Sequence, residues 1–430
     1  MKKISRLFSS LLSIALLTSC TNETPIGDNY RFTTDGISIH PACADYINVQ
    51  PFNTSMSFFY VNKYDDLKNS EELQEIKSTY QNIVVDLHKK LDRHYSYNDD
   101  DGNRVVNVKD VNDSYGTNNK VYCSKELYNL LKLGRDMTLK TNGYFNFFIG
   151  GLVDFWDDLI SDYEYAKLQD PLVNPSNKDY VERLTACVPT MDEVKDLFTF
   201  NDDEYSVIFN TIPDIVYKGA TINRTNADSP YRPYITSGGL SKGYGTDIIK
   251  DLLIQKGYDI GYLNSGASSI TSLSPASITF PKKYLQIATV NPLKINYYDD
   301  FLYVWKFDEE YSLSTSGNYT IDKYYNITDT DGVNHRRHHI INPFTGYPSE
   351  VHSTVSIYSP YISNGQLDAL STAFENMPLD DIKAFVKEEY QDFLGYVVVD
   401  VNNEELSLHI SNNVKSNIIN IAKGVKIIYE

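Results

Sequence analysis

The sequence predicts an α+β fold, because segments with helical periodicity and segments with strand character follow one another without regular alternation. Apolar residues at steps of three and four mark the helices, and short β-branched or alternating runs mark the strands. A chain of 430 residues, 41% of them hydrophobic, can build one large or two moderate buried cores. We therefore expect a globular protein, and we find no internal repeat.

The first twenty residues have the features of a bacterial lipoprotein signal. A positive n-region precedes a short apolar stretch at residues 7–17, and Leu-Thr-Ser-Cys at residues 17–20 resembles a lipobox. The apolar stretch is too short to span a bilayer as a helix. Processing would remove residues 1–19 and leave an acylated Cys20, with roughly 0.8 kcal/mol of membrane affinity per buried methylene. We expect an extracytoplasmic, lipid-anchored protein; the alternative is a secretory signal with a chance cysteine.

Residues 20–49 are expected to be a lipidated tether, since they are polar, contain several glycines and prolines and show no sustained periodicity. The folded domain is expected over residues 50–430. Its first helix is amphipathic, with apolar residues recurring from Leu73 to Leu91. Two more helices are predicted. One begins near Ser124, which can cap it, and the other covers residues 244–253 and stops at Gly257.

Four strands are predicted towards the C-terminus from their β-branched or alternating apolar residues, at 354–358, 396–401, 406–410 and 425–429. Residues 157–185 and 218–233 are polar and rich in turn-forming residues. We expect these two stretches to be surface insertions, not linkers between domains.

Charge and cysteine content exclude some classes of function. The net charge of −18 argues against nucleic-acid binding, which depends on clustered Lys and Arg. Beyond the lipobox, Cys43, Cys123 and Cys187 show no CxxC or Cys/His spacing, so a zinc site is disfavoured. Any one pair of them can form a disulfide in an oxidising compartment, but unpaired thiols are the preferred interpretation.

A glycine-rich turn, Thr-Ser-Gly-Gly-Leu-Ser-Lys-Gly-Tyr at residues 236–244, precedes the third predicted helix. Paired glycines let an anion approach the backbone, and the free N–H groups and dipole of a helix N-terminus favour phosphate there. Lys242 can add a positive charge. The segment is neither a Walker A loop nor a GxGxxG fingerprint, so a plain tight turn is the alternative interpretation.

Asp368 and Thr372 are candidate ligands of a hard cation. They lie four residues apart in a segment that predicts a helix, so they stack about 6 Å apart along its axis. Mg²⁺ accepts few protein oxygens when substrate phosphates and water complete its coordination. The alternative is a solvated helix edge.

Two further segments can contribute to such a site. His338 and His339 precede an Asn-Pro turn, and a histidine with a pKa near neutrality can take a proton from a hydroxyl nucleophile. Structural histidines are, however, commoner than catalytic ones. Residues 313–319 form a hydroxyl-rich loop that can bind phosphate or ribose, or can be a simple turn.

Taken together and in this order, these segments resemble the motifs of the ApbE family, the FAD:protein FMN transferases. The family's glycine-lysine motif is similar to residues 237–244, its HII(D/N)PxTG motif to residues 339–346 and its DALxT motif to residues 368–372. Its STSGxY, LNxGG and TDGxFDxxxGxLxxxW motifs are similar to residues 314–319, 263–266 and 141–156. The resemblance covers roughly residue 50 to the C-terminus.

The resemblance implies one catalytic domain with a T-fold-like α+β architecture of antiparallel sheets packed by helices. It implies that FAD is cleaved with Mg²⁺ and that FMN is attached by a phosphoester bond to a Thr or Ser of an extracytoplasmic flavoprotein, with release of AMP. The acceptor would carry a short motif that begins with Asp and ends in Thr or Ser.

The resemblance also implies roles for individual residues. Asp368, Thr372 and the carbonyl of Gly239 would bind Mg²⁺, and His339, as the base, and Asp368 would be catalytic. The flavin nucleotide would contact pocket residues, namely Tyr97, Thr141, Asn142, Gly143, Thr236, Lys242, Leu313 and Ser316.

The chain departs from the family pattern at several positions. Family members usually have Asp where Thr236, Asn146 and Asn342 stand, and Met and Gly where Phe52 and Asn53 stand. Two other functions therefore stay open. One is an Mg²⁺-dependent FAD pyrophosphatase that uses water as the acceptor, and the other is a flavin-binding lipoprotein without catalytic activity.

Overall fold

The structure is a computed structural model that describes residues 36–39, 52, 54–60, 71–275, 284–293, 301–318, 324–402 and 404–430. The expected lipidation residue Cys20, together with Cys43 and Asn53, lies outside these residues. Within the described ranges, no helix has the length and apolar character needed to cross a bilayer.

The described helices are α1 (Glu71–Leu91), α2 (Val108–Asp113), α3 (Lys125–Lys140), α4 (Gly150–Ser161), α5 (Tyr163–Gln169), α6 (Pro175–Ala186), α7 (Met191–Asp196), α8 (Ser241–Gln255), α9 (Asn364–Asn376) and α10 (Leu379–Glu389). Short 3-10 helices follow at Gln391–Phe393 and Asn412–Asn417.

The described strands are β1 (Gly36–Ile39), β2 (Met56–Tyr60), β3 (Tyr97–Asn98), β4 (Arg104–Val105), β5 (Val121–Tyr122), β6 (Phe198–Asn201), β7 (Ser206–Phe209), β8 (Ile215–Tyr217), β9 (Ala220–Ile222), β10 (Gly261–Ser265), β11 (Ser269–Ser272), β12 (Leu285–Val290), β13 (Phe301–Phe307), β14 (Ser312–Gly317), β15 (Tyr324–Thr328), β16 (Asn334–His338), β17 (Thr354–Ser359), β18 (Gly395–Asn402), β19 (Glu405–Ile410), β20 (Ile418–Ile419) and β21 (Lys426–Tyr429).

A large sheet organises the molecule, and over the described residues it has nine strands in the order β1-β2-β10-β11-β14-β17-β18-β19-β21. Neighbouring strands are antiparallel except for β19 and β21, which are parallel. The smaller sheets are β12-β13-β20, β5-β7-β6 and two-stranded hairpins. The predicted α+β class with antiparallel sheets and packed helices is confirmed.

The two faces of the large sheet are buried against different layers. Side chains alternate along each strand, so Val398 faces the main core with helices α1, α3, α8 and α9, whereas Val397 and Val399 face a second core formed with β12 and β13. Helix α9 packs on β14 and β17. The predicted site residues Asp368 and Thr372 therefore lie between a helix layer and the sheet.

Most of the predicted elements are present in the structure. Helix α1 covers the predicted amphipathic segment, and Ser124 caps α3 by accepting a hydrogen bond from the Leu127 N–H at 3.2 Å. Helix α8 begins at Ser241, slightly before the predicted start, and the four predicted strands correspond to β17, β18, β19 and β21. Strand β1 lies within the expected tether, where it extends the large sheet by pairing with β2.

The stretch 157–185 differs from the prediction, because it is mostly helical. It comprises the end of α4, then α5 and α6, and it encloses a third apolar core with Trp156 and the β15-β16 hairpin. Asn174 and Pro175 were interpreted as part of a turn-rich segment, but Asn174 caps α6 and Pro175 occupies its first turn. The same residue pair starts helices as readily as it forms turns.

Cys123 and Cys187 are free thiols, in agreement with the preferred interpretation of unpaired cysteines. Burial raises the pKa of Cys187 to about 11 and that of Cys123 to about 12. Both thiols are therefore protonated, and poorly reactive, near neutral pH.

Candidate functional site

Helices α8 and α9 cross at Gly243, near the start of α8. The Gly243 N–H donates to the Asp368 carboxylate with an N···Oδ2 distance of 3.0 Å. A β-carbon on Gly243 would overlap the Asn364 carbonyl oxygen and would lie 2.8 Å from the Asp368 Cβ. The absence of a side chain at Gly243 therefore allows the contact that orients Asp368.

Asp247, one turn further along α8, holds the beginning of α9. Its two carboxylate oxygens accept the N–H groups of Asn364 and Gly365, each at 2.9 Å. Burial raises the pKa of Asp247 to about 6, although these two backbone hydrogen bonds act in the opposite direction. No local sequence pattern predicts this role of Asp247, because its partners are 117 and 118 residues away along the chain.

Asp368 and Thr372 face the hydroxyl groups of β14. The Asp368 side chain is 1% exposed, and its Oδ1 lies 3.4 Å from Ser314 Oγ. Ser316 Oγ lies 3.4 Å from Thr372 Oγ1 and 2.8 Å from Ser371 Oγ. The structure thus brings three of the predicted site residues together, Asp368, Thr372 and Ser316.

Gly239 completes the group of predicted metal ligands. A β-carbon on Gly239 would lie 2.8 Å from Thr372 Oγ1, so the Gly239 backbone approaches the Thr372 hydroxyl closely. Carboxylate, hydroxyl and carbonyl oxygens are hard ligands, and the set therefore fits Mg²⁺. In the described part of the chain, no cluster of three or more His, Cys, Asp and Glu side chains is arranged to hold a metal.

Lys242 and Thr236 flank this group. Lys242 Nζ donates to the Gly238 carbonyl at 3.1 Å, so its charge lies over the diglycine turn. Thr236 is buried, and its N–H donates to the Phe147 carbonyl at 2.9 Å. Where the family usually has an acid, this chain therefore has a buried hydroxyl residue next to the turn.

The Leu313 side chain points away from the other pocket residues, because side chains alternate between the two faces of strand β14. Its side chain is 2% exposed and belongs to the second core, on the opposite face from Ser314 and Ser316. Any contact between Leu313 and a nucleotide would have to use its main chain.

The predicted pocket residues Thr141, Asn142 and Gly143 form the turn that ends α3. Thr141 Oγ1 is buried, donates to the Met137 carbonyl at 2.8 Å and accepts from the Phe145 N–H at 3.1 Å. Asn142 and Gly143 both have positive φ, 48° and 84°, which is a conformation that Asn and Gly tolerate best. The Asn142 side chain is exposed, so it is the member of this turn whose side chain can reach a ligand.

Tyr97 is held by the C-terminal end of α1. Its hydroxyl donates to the Asp92 carboxylate and lies 3.4 Å from His88 Nε2. Burial and the hydrogen bond to Asp92 raise the pKa of Tyr97. The ring of Phe52, which replaces the methionine usual in the family, contacts both His88 and Gly245 of α8.

The two adjacent histidines differ in environment. His338 Nδ1 accepts the Ile340 N–H at 3.2 Å, so its proton must be on Nε2, which donates to the Ser349 carbonyl at 2.6 Å. Burial lowers the pKa of His338 to about 4. His338 is therefore neutral, with its lone pair already occupied, whereas His339 is only partly buried and stays a candidate base.

Asn342 shapes the turn that follows His339. Its Oδ1 accepts the N–H groups of Phe344 at 2.9 Å and Thr345 at 3.4 Å. Asn146 does the same locally, accepting the Phe148 N–H at 2.9 Å. Both residues use a side-chain oxygen as an acceptor, and Asp, the residue usual in the family, provides the same oxygen.

The turn at residues 342–346 is fixed from behind by the third core. Trp156 Nε1 donates to the Gly346 carbonyl at 2.7 Å. Gly346 has a φ of 74°, and a β-carbon there would overlap the hydroxyl of Thr185. The motif ending at Trp156 and the motif ending at Gly346 are thus in direct contact.

Comparison with known proteins agrees with this arrangement. The sequence model of the ApbE family matches residues 54–395. No curated protein sequence matches the chain significantly.

Solved structures share the fold. The chain is similar to the ApbE protein from Thermotoga maritima, with 21% identity, a TM-score of 0.57 and coverage of 82% of this chain and 92% of that chain. It is similar to the flavin transferase ApbE from Vibrio cholerae, with 14% identity, a TM-score of 0.58 and coverage of 90% and 100%. It is also similar to the apo form of Pseudomonas stutzeri flavinyl transferase ApbE, with 13% identity, a TM-score of 0.57 and coverage of 90% of this chain and 97% of that chain. At these identities, the likeness shows the fold.

Proposed function

Because this chain belongs to the ApbE family, we propose that it is a flavin transferase that cleaves FAD and attaches FMN to a Thr or Ser of an extracytoplasmic flavoprotein, releasing AMP. The observation that carries the proposal is the meeting of Gly239, Asp368 and Thr372 beside the N-terminus of α8. These oxygens suit a diphosphate and its cation.

The N-terminus of α8 supports binding of the FAD diphosphate. Helix α8 has 15 residues and no acidic side chain of its own in its first turn, where the carboxylate of Asp368 from the neighbouring helix accepts the Gly243 N–H. Gly238 is exposed, and no atom lies within 4 Å of the position of a β-carbon there. A phosphate can therefore approach this backbone, and Lys242 adds positive charge close by.

The oxygen ligands are preoriented by the rest of the site. Asp368, Thr372 and the carbonyl of Gly239 would hold Mg²⁺, whose contribution is to neutralise negative charge on the diphosphate oxygens. The Gly243 N–H and the Ser314 hydroxyl fix the carboxylate of Asp368. Little reorganisation is then needed when the nucleotide binds.

His339 is proposed as the base. The oxygen of the acceptor Thr or Ser forms a bond to the phosphorus of the FMN half, and the bond from that phosphorus to the bridging oxygen breaks. His339 accepts the hydroxyl proton, and AMP leaves with the electron pair of the broken bond on its phosphate. His338 is unsuited to this role, because its lone pair accepts the Ile340 N–H.

The reaction can be tested with the protein from residue 20 onwards, which keeps β1, together with FAD, Mg²⁺ and an acceptor polypeptide that carries an Asp-initiated motif ending in Thr. We expect AMP release together with an FMN adduct in the intact mass of the acceptor, both lost on chelation of the metal. AMP without an adduct would support the pyrophosphatase instead. Bound flavin without AMP would support the non-catalytic binder.

We also propose that the protein is anchored to the membrane through an acylated Cys20. The support is the lipobox-like sequence at residues 17–20. In bacterial cells that express the full chain, wild type should fractionate with membranes and incorporate labelled fatty acid. Cys20→Ala should lose the label and the membrane association, and an unchanged distribution would reject the anchor.

A further inference from the structure

Asn376, the last residue of α9, connects the segments that carry the candidate site. Its side chain is 2% exposed, and its Nδ2 lies 3.2 Å from the Tyr144 carbonyl oxygen, 3.2 Å from that of Ile341 and 3.3 Å from that of Thr372. All three neighbours are acceptors, so the nitrogen of the amide, and not its oxygen, must face them. The orientation of the amide is therefore fixed by its surroundings.

Each of these carbonyls belongs to a different part of the site. Tyr144 ends the turn that contains Asn142 and Gly143, Ile341 follows His339 by two residues, and Thr372 is itself a proposed ligand. Ser349 adds a neighbouring link, because its hydroxyl donates to the Glu375 carbonyl at 2.6 Å. The end of α9 thus holds both the pocket turn and the segment of the base.

The stability of the fold does not by itself explain why residue 376 is an asparagine. The Oδ1 of Asn376 is enclosed and accepts no hydrogen bond from the residues described. An enclosed acceptor without a partner is unfavourable for stability. The favourable contribution of this amide must therefore come from its N–H groups, which bond the three carbonyls.

We propose that Asn376 is a positioning residue of the transfer reaction, which sets His339 and the turn at residues 141–144 at fixed places relative to Asp368 and Thr372. This inference rests on the proposed function. Misplacement of a reacting group by about 1 Å can cost roughly 100-fold in rate. The Mg²⁺-dependent part of the FAD affinity depends instead on Asp368 and Thr372, whose side-chain contacts to α8 and β14 do not involve Asn376. Asn376 should therefore affect transfer more than FAD affinity.

Two substitutions separate the long-range links from the local one. Asn376→Leu keeps the branched shape and the number of side-chain heavy atoms, with two bulkier methyl groups, and removes every donor. Asn376→Ser keeps one donor, which in a helix bonds the carbonyl four residues earlier, here that of Thr372. We expect both variants to lower kcat for FMN transfer by about 10- to 100-fold, with the Mg²⁺-dependent Kd for FAD changed by less than about threefold.

Two controls test the alternative of simple destabilisation. Asn413 also donates its amide to two backbone carbonyls, those of Asp392 and Leu394, but these belong to the connection between α10 and β18, so Asn413→Leu should keep wild-type kcat. Leu408→Ala, in the second core, should lower the melting temperature and keep kcat. An equal loss of kcat in Leu408→Ala, or parallel changes of kcat and Kd in the Asn376 variants, would overturn the positioning role.

Hydrogen exchange gives a readout that needs no activity. In Asn376→Leu, amide exchange within residues 141–146 and 339–346 should accelerate at least about tenfold, while exchange in β18 and β19 stays unchanged. Unchanged exchange in both segments would refute the positioning role. A wild-type protein that binds FAD and transfers nothing would instead refute the proposed function, so the two failures are distinguishable.

Discussion

Gly243 and Asp368 are in close contact where the two helices of the candidate site cross. The Gly243 N–H donates to Asp368 Oδ2 at 3.0 Å, and a β-carbon on Gly243 would lie 2.8 Å from the Asp368 Cβ. The orientation of a proposed metal ligand therefore depends on a residue without a side chain on the neighbouring helix.

Gly243→Ala should force α8 and α9 apart. We expect a loss of about 1–3 kcal/mol in the free energy of unfolding and a weaker Mg²⁺-dependent affinity for FAD, because overpacking shifts the backbone. Chemical denaturation and FAD titration measure the two effects. Gly238→Ala is the control for stability, since no atom lies within 4 Å of its β-carbon position. Equal stability of the two variants would contradict the tight contact.

Asp368→Asn should lower the rate of Mg²⁺-dependent AMP release by about 100-fold or more, because the charge that holds the cation is lost. The folded state should survive, since asparagine keeps an oxygen that can accept the Gly243 N–H. Nucleotide release is measured by chromatography over a magnesium titration. Asp202→Asn is the control, because that exposed carboxylate pairs with Lys132. Unchanged turnover in Asp368→Asn would reject the ligand.

His339→Gln should slow FMN transfer by about 10²- to 10⁴-fold, the usual contribution of a general base. The affinity for FAD should change much less, and fluorescence titration measures it separately. His335→Gln provides the comparison on strand β16, which ends just before His339, because His335 pairs with Asp329 and Glu350. If rate and affinity fall together in His339→Gln, the residue belongs to the pocket and is not the base.

His338 should make the protein less stable in mild acid. Burial lowers its pKa from 6.5 to about 4, so the unfolded chain binds the proton more readily than the folded one between these values. The free energy of unfolding should therefore fall as the pH drops from about 6.5 to about 4, by at most about 3 kcal/mol. Thermal unfolding of His338→Gln should lack this part of the pH dependence. Identical slopes for wild type and variant would contradict the assignment.

Asn342→Asp should transfer FMN at nearly the wild-type rate, within about threefold, because the aspartate oxygen can accept the same Phe344 and Thr345 N–H groups. Asn342→Leu removes the acceptor and should cost about 1–2 kcal/mol of stability, measured by denaturation. A large loss of rate in Asn342→Asp would show that the amide nitrogen has a role of its own.

The elements of the fold that the sequence predicted correctly are those with strong periodicity. The apolar repeat of α1 and the cap at Ser124 are local signals, and they do not depend on what packs against them. Helices α5 and α6 were missed because they are short and polar on the outside, and because Asn174-Pro175 signals both a turn and a helix start.

In the candidate site, the motif residues Asp368, Thr372, Gly239 and Ser316 lie together in the structure, and their roles stay a prediction. The supporting residues could not be predicted in the same way. Asn376 bonds the carbonyl of Tyr144 across 232 residues of chain, and no local pattern indicates such a partner. Leu313 was predicted as a pocket residue from its position in a motif, but its side chain lies in the second core. A motif position does not indicate which face of a strand a side chain occupies.

Through the contact of Trp156 with Gly346, the helical layer of α4, α5 and α6 supports the turn at residues 342–346. That layer lies behind the turn that follows His339, and it supplies both the indole hydrogen bond and the Thr185 hydroxyl against which Gly346 packs. Substitutions on the outer surface of the layer should therefore leave this turn in place. The same change at Trp156 or Thr185 would tilt the turn and with it the reacting group.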